Sequence, residues 1–235
     1  MSELHGTVFL LDCDNTLLDN DCIQDDLSDH LTHEFGADCR DRYWKIFEEL
    51  RTELGYADYL GALQRYRVRH ILDTRVLRLS SYLVDYPFAR RLYPLALDVI
   101  RHLGTFGLTV VLSDGDVVFQ PRKIERSGLW DAVEGRVLIY IHKEKMLDAV
   151  ADQFPARRYV MIDDKLRILA MMKAIWHDRL TTVFVRQGHY AADANTLASF
   201  PPADLSVARI GDLLGYERAA FAGDGTAGGL QEEPS

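Results

Sequence analysis

Apolar and polar positions change rhythm twice along the chain. Residues 7 to 12 (Thr-Val-Phe-Leu-Leu-Asp) are a short β-branched and apolar run, which predicts a buried strand. From 17 to 92 the apolar residues recur at helical spacing. Ile23, Leu27 and Leu31 form one set, Tyr43, Phe47, Leu50 and Leu54 a second, and Leu72, Val76, Leu79 and Leu83 a third. Pro87 and Pro94 punctuate the end of this stretch. Strands and helices then alternate. A helix from Leu95 to Leu103 meets Gly104 and Gly107, and Leu108 to Leu112 reads as a strand. A helix near 117–127, a strand near 136–141 and a helix near 144–153 follow. A strand at 159–162, a helix at 165–176 and a strand at 181–185 complete the series. This alternation predicts an α/β domain, a parallel sheet with helices on both faces. The sheet begins at residue 7 and resumes near 108, so the helical block reads as an insertion placed just after the first strand. The expected division is a core of 1–16 and 93–216, an inserted domain of 17–92, and a flexible tail of 217–235 rich in Gly, Ala and acids. Gly223 to Gly228 spells GxGxxG, but no strand precedes it, so no dinucleotide site is expected there.

Composition narrows the class. Across 235 residues, 48% are hydrophobic, which excludes a disordered chain. The longest apolar runs are short, such as Val8 to Leu11, well below the roughly 18 residues of a membrane span. No basic segment followed by an apolar one stands at the N-terminus, and Cys13, Cys22 and Cys39 form no CxxC pair. Both features fit a cytoplasmic protein. Lys and Arg number 27 against 36 acids, a net charge of −9, which disfavours nucleic acid as a partner. A small anionic substrate remains open, because local charge differs from net charge.

Four features end predicted core strands. The first is Asp12-Cys13-Asp14-Asn15-Thr16, with two carboxylates two residues apart at the carboxyl end of strand one. Ligands of open α/β sheets bind outside such ends. Paired acids there repel unless a cation lies between them. A capping Asp12 and a solvated Asp14 explain the motif equally well on its own. The second is Ser113-Asp114 after Val110-Val111-Leu112, where a hydroxyl and backbone N–H groups suit an anion. The third is Lys143, opening a helix. The fourth is Asp163-Asp164 after Val160-Met161-Ile162, with a helix N-cap as the plainer reading of the acids.

In this order, the four features resemble the haloacid dehalogenase-like superfamily of hydrolases, over roughly residues 7 to 190. The resemblance implies a Rossmann-like core with an inserted α-helical cap. It implies Asp12 as the nucleophile that forms an aspartyl-phosphate and Asp14 as general acid and base. Ser113 and Asp114 would bind the phosphoryl group, and Lys143 would neutralise its charge. Mg²⁺ would be held by Asp12, Asp14 (through its carbonyl) and Asp164, with Asp163 and Thr16 in support. Lys143 is preferred to Lys145 because it places Leu147 four residues later, the register usual in the family. Dehalogenases of the family need no acid two residues past the nucleophile, since halide leaves unprotonated, so Asp14 points to a phosphatase acting on a small phosphorylated metabolite. A phosphomutase and a non-catalytic binding member are the alternatives. The acidic motif lacks the further Asp of a GDxxxD pattern. The basic run Arg65, Arg67, Arg69, Arg75 and Arg78 reads as a solvated face rather than a second anion site. Arg186 to His189, after the fifth core strand, could line the rim of the site, with a plain loop as the favoured reading.

Overall fold

A computed structural model describes residues 4–222, and the side chains of 194–196 are outside the description. The GxGxxG of 223–228 therefore lies beyond the described residues. Six strands form one parallel sheet: β1 (His5–Leu11), β2 (Leu108–Asp114), β3 (Val137–Tyr140), β4 (Ala156–Asp163), β5 (Leu180–Val185) and β6 (Leu205–Val207). Their spatial order is β3-β2-β1-β4-β5-β6. The chain steps outward to one side from β1 and to the other from β4. The carboxyl ends of these two neighbours are therefore where the connections diverge and leave a crevice. Pairing of Leu11 with Ile162 brings the residues that follow them side by side.

Alternation of side chains builds two cores. Phe9, Leu11, Val111, Val160 and Ile162 face one side of the sheet, and Val8, Leu10, Val110, Leu112 and Met161 the other. Helices cover both, as the strand-helix alternation requires. After four helices between β1 and β2 come α5 (Ala96–Gly104), α6 (Phe119–Ser127), α7 (Leu129–Ala132), α8 (Leu147–Gln153), α9 (Leu166–Trp176), α10 (Gly188–Ala192) and α11 (Ala194–Ser199).

The four helices between the first two strands are α1 (Asn20–Phe35), α2 (Ala37–Leu54), α3 (Tyr59–Arg69) and α4 (Val76–Asp85). Asp19 caps α1 by accepting from Cys22 N, and Asp58 caps α3 by accepting from Gly61 N. The chain enters and leaves this block through adjacent segments joined by an antiparallel bridge between Leu18 and Leu92. Asp19 N donates to Arg91 O and Tyr93 N donates to Leu17 O, at 2.7 and 3.0 Å.

Four details depart from the sequence reading. Leu72 is 92% exposed, because residues 70–75 turn around the Asp73–Arg75 pair and α4 begins only at Val76. The helix expected at 144–153 divides into a single 3-10 turn at Lys143–Lys145 and α8 from Leu147, with Met146 non-helical between them. The short edge strand β6 was not anticipated. Within the expected tail, Arg218–Phe221 form a 3-10 turn with one buried anchor. Phe221 is 2% exposed and meets Phe9 edge-on at 5.3 Å between ring centroids. A Gly- and Ala-rich composition hid this one aromatic anchor. Phe221→Ala should cost about 3–5 kcal/mol in urea-unfolding stability. A loss below 1 kcal/mol would mean that this segment is not packed in solution.

Candidate active site

The sheet brings Asp12, Asp163 and Asp164 together at the β1/β4 crevice. One oxygen from each lies within 4.8 Å of the others, and all three residues are buried. Lys143 reaches in from its 3-10 turn. Its Nζ is in direct contact with Asp12 Oδ1, lies 2.7 Å from Asp163 Oδ2, and donates to Leu112 O. Its backbone N donates to Asp114 Oδ1 at 2.7 Å. The Asp114 carboxylate thus fixes the lysine's own turn. Thr16 Oγ1 donates to Asp12 Oδ2 at 3.3 Å. Asp163 Oδ1 accepts from Lys165 N. Lys145 is exposed, and among the described residues it makes no such contact.

Burial and charge oppose each other here. Burial pushes the Asp12 carboxyl up to about 7, against the pull of the Lys143 ammonium. Burial also disfavours the Lys143 cation, but Asp12, Asp163 and Asp114 outweigh it and raise its pKa. Lys165 behaves alike beside Asp164, Asp12 and Asp163. Burial raises the Asp164 carboxyl strongly, and neither of its oxygens has a hydrogen-bond partner among the described residues. Three acids thus face two lysines. An orphaned, buried carboxylate beside two other carboxylates is a fitting donor set for a hard divalent cation such as Mg²⁺.

Ser113 is buried at the end of β2, and its Oγ accepts from Gln120 Nε2 at 2.9 Å. Gly115 N is already used, donating to Tyr140 O. Asp14 sits apart from the cluster and lines a cavity of about 440 Å³ between α1–α3 and the sheet edge. Both Asp14 oxygens accept from Lys123 Nζ, at 2.8 and 3.0 Å.

Several residues of the site escaped the sequence reading. Lys123 and Gln120 lie one turn apart on α6, along the same buried face as Ile124 and Ser127. A lysine inside an otherwise inward-facing stripe was the available signal. Lys165 directly follows the acidic pair. The loop after β5 borders the cavity, as its rim reading has it. Gln187 Nε2 donates to Thr16 O, and His189 lines the cavity and meets Asp21 of α1. Gly188 has φ +69°, and a Cβ there would lie 2.5 Å from that of Asn15, so glycine lets this loop close on the turn that follows β1. The basic run of α3 is a solvated face. Arg65 pairs with Glu53, Arg69 with Glu49, and neither lines the cavity.

The profile of the haloacid dehalogenase-like hydrolases matches residues 7–175. The chain belongs to that family. A search of curated proteins gives no match. Among solved structures, the hydrolase is 67% identical to a Burkholderia xenovorans protein described as haloacid dehalogenase-like, with TM-score 0.88, over 92% of this chain and 98% of that one. It shares its fold with the L-2-haloacid dehalogenase of Xanthobacter autotrophicus, solved with chloropropionic acid covalently bound, at 16% identity and TM-score 0.58 over 88% and 96% of the two chains. A Xanthomonas campestris hydrolase of the family shows the same fold at 18% identity and TM-score 0.61 over 94% and 98%.

The orphaned Asp164 gives a direct test of the cation reading. Asp164→Asn should raise the melting temperature of chelator-treated hydrolase by about 2–4 °C, the equivalent of ~1 kcal/mol for a chain of this size. The same change should abolish the stabilisation that added Mg²⁺ gives the parent, as read by thermal melting.

Proposed function

We propose that this hydrolase is a Mg²⁺-dependent phosphatase that cleaves a small phosphorylated metabolite through an aspartyl-phosphate on Asp12. The observation that carries this reading is the second carboxylate, Asp14, facing the cavity two residues past the nucleophile. A leaving alcohol needs a proton, and a departing halide does not. Asp12 Oδ would attack phosphorus as the ester P–O bond breaks and Asp14 gives its proton to the leaving oxygen. In the second half, the Asp14 carboxylate takes a proton from water. The water oxygen bonds to phosphorus, and the Asp12–phosphorus bond breaks. Lys143, already against Asp12, would balance charge on the phosphoryl oxygens, and Ser113 would donate to one of them. Mg²⁺, held by the Asp12 and Asp164 carboxylates and the Asp14 carbonyl, would screen the acid nucleophile from the phosphate dianion. Asp163 and Thr16 keep Lys143 and Asp12 in place.

Residues 17–92 act in this scheme as a cap over the 1–16 and 93–216 core, and the cavity between them suits a small molecule. Release of phosphate from 4-nitrophenyl phosphate should require Mg²⁺, stop with chelator, and fall by ~10³-fold or more in Asp12→Asn. Metal-independent halide release from 2-chloropropionate would overturn the reading in favour of dehalogenation. Isomerisation of a hexose phosphate without phosphate release would make it a mutase. Silence across a phosphate panel, with Mg²⁺ binding intact, would leave a binding protein.

A further inference from the structure

Lys123 is 0% exposed. A fully buried ammonium costs several kcal/mol unless its charge is met, and Asp14 is the one carboxylate within ion-pair distance among the described residues. Its remaining partners come from the helical block and from α6. Asn20 Oδ1 accepts from Nζ at 2.9 Å, and the Tyr59 and Phe119 rings stand 5.8 and 5.4 Å from it. Tyr59 OH in turn accepts from Asn20 Nδ2, and Tyr43 OH donates to Tyr59 O. Burial disfavours the Lys123 cation, yet Asp14 and Tyr59 more than compensate, and its pKa is raised. Among the described residues, the Asp14 carboxylate is held from the α6 side, by Lys123 and by a 3.4 Å contact with Gln120 Nε2.

We infer that Lys123 is the positioning residue for Asp14, and that it couples the orientation of that carboxylate to the seating of α1 and α3 on the core. The lysine bonds both Asp14 and the helical block's Asn20, and faces the ring of Tyr59. When the block shifts, Nζ loses the Asn20 acceptor and the aromatic face, and the grip on Asp14 changes with it. The proton-carrying group is thereby placed correctly only with the block seated over the cavity. This role rests on the phosphatase reading above for its kinetic consequence, but the placement of Asp14 is a property of the fold.

The test compares the parent with Lys123→Met, which keeps the length and apolar stem, and with the milder Asn20→Ala. Single-turnover phosphorylation is measured with 4-nitrophenyl phosphate, whose leaving group needs no proton, and with an alkyl phosphate, whose leaving group does. Lys123→Met should slow the alkyl ester at least tenfold more than the aryl ester, and Asn20→Ala should shift the same ratio by a smaller factor. Crystal structures should show the Asp14 carboxylate turned from its place in Lys123→Met. An equal loss on both esters, or an unmoved Asp14, would overturn the proposal and leave Lys123 as a structural ion pair. If the parent cleaves neither ester, the phosphatase reading fails, and the position of Asp14 in the two crystal structures still decides for or against Lys123.

Discussion

A single ammonium group between two strand ends holds the centre of this protein together. Lys143 places its charge against Asp12, which follows β1, and Asp163, which ends β4. Those strands are neighbours in the sheet, so their terminal acids would repel in a medium that screens charge poorly. The lysine turns that repulsion into attraction. Other local features serve the same end. The 3-10 turn brings Lys143 inward, Asp114 pins the backbone of that turn, and Thr16 fixes the second oxygen of Asp12. What the lysine leaves uncompensated is Asp164, whose two buried oxygens have no hydrogen-bond partner among the described residues.

Lys123 repeats the principle at a second level. It is a buried cation with one carboxylate in ion-pair reach among the described residues, placed where the helices between β1 and β2 meet α6. The protein thus carries two buried lysines that pair with acids in different surroundings. One is locked inside the core and tied to the strands. The other depends on contacts from a block that is joined to the core through adjacent bridged segments.

The fold was legible because parallel strands buried on both faces leave continuous apolar runs, and the acids that end them break those runs abruptly. Asp12, Asp163 and Asp164 stand out for that reason, and Lys143 follows from its place at the head of the next helical segment. Lys123 did not stand out because its meaning is tertiary: nothing near it in sequence is its partner, and Asp14 is 109 residues away. His189 was half-hidden in the same way, within a short stretch that resembles any connection. Phe221 was hidden by its neighbours, since a lone aromatic among Gly, Ala and acids carries no periodicity. In each case the missing information was a contact across the sheet, which no local pattern records.

The paired segments Leu17–Asp19 and Arg91–Tyr93 have an architectural consequence. A tight turn could bridge the same two points, because the chain leaves the sheet domain and returns to it at one place. The helices between still meet the core, since Asn20 and Tyr59 face Lys123 and Asp21 meets His189. A change in the length of these helices away from those contacts therefore leaves the register of every strand as it is.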